Sequence, residues 1–216
     1  MPREKQSEKI ERAKTIIKLL KNNYPDARCS LDYGSVHELM VATILSAQCT
    51  DERVNKTTPA LFKKYPSVKA FAEADLNELA QHIFATGFHN SKAKSIKLSA
   101  IQLLEKYDGK IPDKLSELVK LQGVGRKTAS VILGEGYNLA EGIVVDTHVG
   151  RISRLLGFTN EKDPVKIEKD LMKIIPKKDW IIYSHLMIDH GRTLCKARKP
   201  NCNNCFLNKL CPSSSI

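Results

Sequence analysis

Four cysteines lie close together near the C-terminal end of the sequence. Six residues separate Cys195 from Cys202, two separate Cys202 from Cys205, and five separate Cys205 from Cys211. Thiolates bind soft metals, and four of them within so short a stretch can surround one centre. Structural zinc usually takes two close cysteine pairs, whereas only Cys202 and Cys205 form such a pair. The spacing therefore favours an iron-sulfur cluster modestly and leaves zinc open.

The remaining cysteines, Cys29 and Cys49, stand apart and are expected to be buried thiols without chemistry. Charges interrupt the apolar positions of the N-terminal segment, and no apolar run is long enough to span a bilayer. We therefore expect a soluble, cytoplasmic protein with no membrane partner. In a reducing compartment, a tight cysteine group indicates metal ligation rather than disulfides.

Three cations, Lys196, Arg198 and Lys199, lie within the first interval of the cysteine group. A metal-bound loop would fix them on a rigid surface, where they could grip DNA phosphate. They could equally serve only to offset the negative charge of the thiolates. The whole chain carries 35 Lys plus Arg against 24 Asp plus Glu, a formal net charge of +11, which favours a nucleic-acid partner over an anionic membrane.

The segment 115–133 predicts a helix, a tight turn and a second helix, with Leu-Gln-Gly-Val-Gly at 121–125. Glycine permits positive φ and has no side chain, so backbone amides at Gly123 and Gly125 can approach a phosphate closely. Val124 would anchor the turn in the core. The alternative is an ordinary glycine cap before another helix, but the flanking helices and Arg126 favour contact with DNA.

Lys127 lies in the first turn of the helix after Gly125, where the positive helix end disfavours another cation. An amine that gives up its proton easily can attack a sugar carbon and form a Schiff base. The alternative is a lysine that contacts phosphate or is merely solvated. Sequence position alone does not decide between them.

Asp146 follows the apolar run Ile143-Val144-Val145 and precedes a helix predicted to start near Thr147. Expulsion of a base from deoxyribose builds positive charge on the sugar, which a carboxylate would stabilise. The competing interpretation is a helix N-cap, and one residue could do both.

Helical patterns position these residues almost from end to end of the chain. Apolar residues recur at helical spacing between Ile10 and Leu20 and between Leu39 and Leu45. Asp75 with Glu78 predicts a capping box, and Asp163 before Pro164 predicts another helix start. The only strand-like run, 143–145, is too short to argue a sheet, so the sequence predicts an all-α fold.

The same motifs resemble the endonuclease III family of helix-hairpin-helix DNA glycosylases. The resemblance is carried, beside the cysteine group, by Leu45–Asp51, Gly87–Ala93, Leu121–Ala129, Val145–His148 and His190–Arg192. It covers nearly the whole chain in the family's order. It implies two helical lobes with the active site in the cleft between them: a six-helix barrel domain at 29–139, and an iron-sulfur cluster domain formed by 1–28 with 140–216.

The resemblance also implies an activity and a set of roles. The protein would be a bifunctional DNA glycosylase/AP lyase of base excision repair that removes oxidised pyrimidines from damaged double-stranded DNA, with a [4Fe-4S] cluster on the four cysteines. Lys127 matches the family's Schiff-base lysine and Asp146 its catalytic aspartate. Gln48 would fill the space left by the extruded nucleotide, and His148 would contact DNA.

Two departures from the family pattern affect DNA contacts rather than chemistry. Gln122 stands where the family commonly has proline, which should loosen the turn. The inserting loop reads Gly87-Phe88-His89-Asn90 instead of Gly-Leu-Tyr-Asn, so Phe88 and His89 supply a larger aromatic wedge. The lesion spectrum and the preference for the opposite base depend on this loop.

Two rival functions use the same motifs. An adenine-mismatch glycosylase shares the hairpin and the cluster but lacks a lysine at the position of Lys127. A noncatalytic DNA-binding or redox-sensing module would need no lysine nucleophile. Nothing in the sequence demands more than a monomer acting at the nucleoid of a prokaryotic cell.

Overall fold

A computed structural model of the chain describes residues 4–216, and every regular element within this range is helical. The predicted all-α class is confirmed. The run 143–145 has no regular secondary structure, and no strand occurs between residues 4 and 216. None of the helices in the described range is long and apolar enough to cross a membrane.

Residues 29–141 form one compact unit, which we call the hairpin unit. Its helices are α2 (Val36–Leu45), α3 (Asp51–Lys64), α4 (Val68–Glu73), α5 (Leu76–His82), α6 (His89–Tyr107), α7 (Leu115–Leu118) and α8 (Arg126–Val131). Helix α2 is buried along most of its length, from Leu39 to Leu45. It lies in the centre of an apolar core to which all the other helices of the unit contribute.

The described residues up to Arg28, together with Gly142–Ile216, form a second compact unit, which we call the cysteine unit. It contains α1 (Gln6–Asn23), α9 (Thr147–Leu155), α10 (Pro164–Met172) and α11 (Trp180–Thr193). Two 3-10 turns follow, Cys202–Asn204 and Asn208–Leu210. The unit has its own apolar core. Assignment of 29–139, and of 1–28 with 140–216, to two domains stays a prediction.

The predicted helix starts are confirmed by side-chain caps. Asp75 accepts a hydrogen bond of 2.9 Å from the Glu78 amide at the start of α5. Asp163 accepts one of 3.0 Å from the Lys166 amide, and Pro164 is the first residue of α10. These bonds satisfy amides that have no partner within the helix, which is why the sequence marks the starts so clearly.

The region after the glycine-rich turn differs from a regular pair of helices. The first helix, α7, has only four residues, and α8 continues into a π-helical turn at Ile132–Gly136. A Cβ on Gly136 would lie 2.8 Å from a methyl carbon of Val36. The π-helical turn therefore packs closely against α2, and a larger residue at Gly136 would force the two segments apart.

Candidate functional site

The glycine-rich turn is held by the core of the hairpin unit. Val124 is only 3% exposed and packs into the core, and its amide donates to the Leu121 carbonyl at 3.1 Å. Gly123 has a φ of 78°, and a Cβ there would lie 2.6 Å from the Cβ of Ser95. Both the backbone conformation and the close approach to α6 require glycine. The core thus fixes one side of the turn, and the other side of Gly123 is exposed to solvent.

Gln102 on α6 adds a polar clamp to the turn. Its Oε1 accepts a hydrogen bond of 2.7 Å from the Gln122 amide, and its Nε2 donates to the Lys120 carbonyl at 3.3 Å. A proline at 122 has no amide hydrogen and could not make the first of these bonds. The loosening expected from Gln122 is therefore opposed by a bond that only a non-proline residue allows.

Gly125, Arg126 and Lys127 begin helix α8 at the surface. Gly125 is the N-cap residue, and a Cβ there would meet no atom within 4 Å. Its backbone is open to a ligand. Lys127, in the first turn of α8, is exposed, as is Arg126. A nucleophilic amine must be reachable by a bulky substrate, and the exposure of Lys127 meets this requirement.

Asp146 is half-buried and caps helix α9. Its Oδ1 accepts a hydrogen bond of 2.7 Å from the Val149 amide, so the predicted role as a helix N-cap is confirmed. This role does not conflict with a catalytic one. The approach to the cap is fixed by Ser184 on α11, whose hydroxyl donates to the Val144 carbonyl at 2.8 Å. The cap holds the carboxylate in one orientation, which a catalytic carboxylate also needs.

His148 lies in the first turn of α9, where α11 packs against it. A Cβ on Gly191 would lie 2.3 Å from Nδ1 of His148, so only glycine allows this approach. Within the described part of the chain, this buried Nδ1 has no hydrogen-bond partner. This nitrogen is enclosed against Gly191, so the role of His148 in binding DNA stays a prediction.

Gln48 and Phe88 are both exposed in left-handed backbone conformations, with φ of 53° and 50°. Phe88 is 65% exposed and precedes α6, and His89 is half-buried beside it. The ring of His89 packs on Phe84 with centroids 4.8 Å apart. Phe84 is itself 62% exposed. The sequence reasoning missed Phe84, which enlarges the aromatic surface of this loop.

The four clustered cysteines line one cavity of about 70 Å³ in the cysteine unit. About 10–15 Å³ admits a single water, so the cavity has room for a group of several atoms. Burial raises the pKa of Cys205 and of Cys211, whereas hydrogen bonds from Ser215 lower the pKa of Cys202. Metal coordination would release protons from these thiols. The difference in pKa direction among the three thiols is compatible with one shared ligand.

Arg151 and His190 lie beside the cysteines. The sequence did not indicate this position for either residue, although His190 belongs to one of the family motifs. The Arg151 guanidinium donates to the Cys195 carbonyl at 2.7 Å and lies 3.6 Å from its Sγ. His190 Nε2 lies 3.6 Å from the Cys205 Sγ, while Nδ1 pairs with the Tyr24 hydroxyl at 3.1 Å. Burial, together with Arg151, lowers the pKa of His190 to about 4. A neutral imidazole and a guanidinium thus offer donors to sulfur.

The four thiols supply donors of the kind that bind soft metal centres. Within residues 4–216, no group of three or more Cys, His, Asp or Glu side chains could hold a single metal ion. Zinc needs its sulfurs at about 2.3 Å from one point. The four thiols line one cavity, which has room for a centre of several atoms.

The loop between Cys195 and Cys202 displays its three cations outward. Lys196, Arg198 and Lys199 are all exposed. The Asn201 amide donates to the Leu194 carbonyl at 2.9 Å and closes the loop. The charges are therefore presented to solvent on a short closed loop, where a phosphate backbone could reach them.

The chain is similar to known DNA repair proteins over most of its length. The HhH-GPD superfamily of base excision DNA repair proteins matches residues 41–177. An endonuclease III of Synechocystis sp. is 50% identical over 210 residues, which cover 97% of this chain and 96% of that protein. The chain therefore belongs to the endonuclease III family of HhH-GPD superfamily base excision DNA repair proteins.

Solved structures agree with this assignment. The structure of a non-covalent endonuclease III-DNA complex matches with a TM-score of 0.89 and 41% identity. The match covers 95% of this chain and 96% of the chain in that complex. The structure of a trapped endonuclease III-DNA covalent intermediate, an estranged-adenine complex, gives the same values. The resemblance stated from the sequence is confirmed.

Proposed function

We propose that this protein is a bifunctional DNA glycosylase/AP lyase of base excision repair. The observation that carries the proposal is its similarity, over nearly the whole chain, to an endonuclease III trapped as a covalent intermediate with DNA. An exposed lysine at the start of α8 supports it, because a covalent intermediate requires a reachable nucleophile. We further propose that the damaged bases are oxidised pyrimidines.

Lys127 is the proposed nucleophile. Its neutral Nζ attacks C1′ of the damaged nucleotide, and the base departs with the electrons of the glycosidic bond and takes up a proton. The attached amine gives one proton, by way of Asp146, to O4′ as the C1′–O4′ bond breaks, which leaves a protonated Schiff base at C1′. Loss of a proton from C2′ then expels the 3′ phosphate by β-elimination. Hydrolysis of the Schiff base returns the lysine.

Asp146 is the proposed partner in the first step. Departure of the base leaves positive charge on the sugar, which a carboxylate stabilises, and the same carboxylate can accept a proton from the attacking amine. One of its oxygens is already bonded to the Val149 amide, which leaves the other for the substrate. The N-cap hydrogen bond fixes the carboxylate in place, so the same side chain can stabilise the charge on the sugar and accept the proton.

The remaining proposed contacts hold the duplex and open it. Gly123, Gly125 and Arg126 would present backbone amides and one guanidinium to a phosphate, on a turn that Val124 anchors in the core. Lys196, Arg198 and Lys199 would bind the DNA backbone elsewhere. Gln48 would fill the space left by the extruded nucleotide. Phe88 and His89 would wedge into the stack, and His148 would contact DNA.

The four cysteines Cys195, Cys202, Cys205 and Cys211 are proposed to hold a [4Fe-4S] cluster. When bound, the cluster supplies four covalent crosslinks to a segment that has little regular structure. Arg151 would offset thiolate charge at Cys195, and the neutral His190 would offer a hydrogen bond to the Cys205 sulfur. None of the proposed reaction steps passes through this group.

Damaged double-stranded DNA is the proposed partner, and we propose that the protein acts on it as a monomer. For an enzyme with this substrate in a prokaryotic cell, the cytoplasm at the nucleoid is the proposed location. Homologous proteins named endonuclease III occur in bacteria, which agrees with this location.

A panel of duplexes tests the proposed activity. One duplex carries an oxidised pyrimidine, a second an oxidised purine and a third no lesion, and both the free base and the strand ends are analysed. We expect base release and cleavage 3′ to the lesion with the oxidised pyrimidine alone. Release of the base without strand cleavage would remove the lyase activity from the proposal, and inactivity on every lesion would overturn it.

A further inference from the structure

A buried lysine joins the two loops that carry Gln48 and Phe88. Lys92, on α6, is 6% exposed, and its Nζ donates to the Leu45 carbonyl at 2.7 Å and to the Thr86 carbonyl at 2.8 Å. Both of these acceptors are backbone oxygens. Burial lowers the pKa of Lys92. Removing an ammonium from water costs free energy, and the two charge-assisted hydrogen bonds offset that cost.

The two carbonyls mark the starts of the two loops. Leu45 is the last residue of α2, and Thr86 is the last residue of the 3-10 turn Phe84–Thr86. Carbonyls at the C-terminal end of a helix lack partners within the helix and carry partial negative charge. One ammonium therefore caps both ends at once. Gln48 follows three residues after the first carbonyl, and Phe88 two residues after the second.

Both loops hold a residue in a conformation that is uncommon for anything but glycine. Gln48 has a φ of 53° and Phe88 a φ of 50°. Such conformations persist only where the surrounding structure imposes them. The hydrogen bonds from Lys92 hold the chain three residues before Gln48 and two residues before Phe88. They therefore fix each loop just before its left-handed residue.

We propose that Lys92 is a positioning residue that fixes the Gln48 loop and the Phe88 loop in one mutual geometry, so that both enter the duplex together. This inference rests on the proposed function. Extrusion of a nucleotide requires a wedge and a filler at the same moment, because either one alone leaves a gap in the stack. Lys92 touches no DNA and acts through the two loops that do.

Lys97 supplies a matched control on the same helix. Its Nζ is half-buried and also donates to a backbone carbonyl, that of Ala74 at the end of α4. This carbonyl is not part of either inserting loop. The variants Lys92→Met and Lys97→Met each remove one ammonium and its carbonyl bonds from α6, but only Lys92→Met releases the loops.

The readout is a ratio of two activities in a single preparation of the full-length protein. One substrate is a duplex with an oxidised pyrimidine, which must be opened. The other is a single strand with an abasic site, which needs the nucleophile but has no opposite base to replace. The ratio cancels any loss of folded protein. We expect Lys92→Met to lower the ratio by about 10- to 100-fold, as misplacement away from the chemistry does, and Lys97→Met to leave it unchanged.

A second variant and a spectroscopic signal guard against misfolding. Lys92→Gln keeps amide donors at a shorter reach and should lower the ratio in the same direction. With 2-aminopurine opposite the lesion, Lys92→Met should slow the fluorescence change that reports extrusion. An unchanged ratio, equal loss on both substrates, or the same fall in Lys97→Met would overturn the inference. Failure of the proposed function looks different, because the unaltered protein would then cleave neither substrate.

Discussion

The glycine-rich turn and the cysteine segment are stabilised in opposite ways. The turn is held by the polypeptide itself: Val124 lies in the core, Gly123 rests on Ser95, and Gln102 bonds the Gln122 amide. The cysteine segment has only two short 3-10 turns and four thiols around a cavity. The proposed nucleophile thus lies on a support that needs no added group, whereas the proposed cluster would complete the cysteine segment.

Helix α9 connects the cysteine segment to the proposed chemistry. It begins at the Asp146 cap, carries Arg151, which bonds Cys195, and ends at Leu155, whose carbonyl accepts from the Cys211 thiol at 3.6 Å. Loss of order around the cysteines should therefore loosen the helix that holds Asp146. The contacts that hold the glycine-rich turn, by contrast, come from Ser95 and Gln102 within the hairpin unit.

The largest effect is expected from removal of one cluster ligand. Cys205→Ala should abolish the visible absorption of the cluster and destabilise the protein by about 4 kcal/mol or more, as loss of a metal site does. Cys29→Ala is the matched control, since burial raises the pKa of that thiol to about 11 and it lies outside the group. Its cost should be about 1 kcal/mol with the absorption kept. Equal costs in thermal unfolding would erase the contrast between the regions.

Asp146→Asn separates the cap from the chemistry. Asparagine caps helices as well as aspartate does, so unfolding should be unchanged, while base removal should slow by about 100-fold or more. DNA binding should persist. Single-turnover kinetics on a lesion duplex measures the effect, and near-normal turnover would reduce Asp146 to a helix cap.

Two glycines in the turn should respond differently to the same substitution. Gly123→Ala forces alanine to a φ of 78° and against Ser95, with an expected cost of about 1–3 kcal/mol. Gly125→Ala meets no atom within 4 Å, so its stability cost should stay within about 1 kcal/mol. DNA affinity should nevertheless fall in Gly125→Ala. Unchanged affinity there would mean that no phosphate approaches this backbone.

The smallest expected effect concerns the exposed cations of the cysteine loop. Changing Lys196, Arg198 and Lys199 together to alanine should flatten the dependence of log K on log salt, by up to about 0.9 for each phosphate that the loop no longer neutralises. A triple alanine change at Lys162, Lys166 and Lys169 removes the same charge elsewhere in the cysteine unit. An identical slope in both triple variants would show that the loop cations only offset thiolate charge.

Features that depend on local sequence could be predicted. The apolar period of α1 and the caps at Asp75, Asp163 and Asp146 follow from short-range rules, because a cap and its amide partner lie three residues apart. The glycine-rich turn was also found, since glycine is required by its backbone. The π-helical turn after α8 could not be predicted, because it packs against α2, which is distant in sequence. The sequence also did not indicate that α7 has only four residues.

Contacts between residues far apart in sequence were beyond prediction. Lys92 bonds Leu45, which lies 47 positions away, and Arg151 bonds Cys195, 44 positions away. Gln102 reaches Gln122 across 20 positions. Each of these side chains is of a type that is ordinary at a protein surface, and only the fold brings it to its carbonyl, thiol or amide partner.

Borohydride trapping tests the central claim most directly. Reduction converts a Schiff base into a permanent crosslink, so the protein on abasic DNA should yield a covalent complex that survives denaturing electrophoresis. Lys127→Gln should yield none, while Lys120→Gln, which alters an exposed lysine paired with Glu117, should crosslink as before. A Lys127→Gln protein that crosslinks as fully as the unaltered chain would contradict the assignment of the nucleophile.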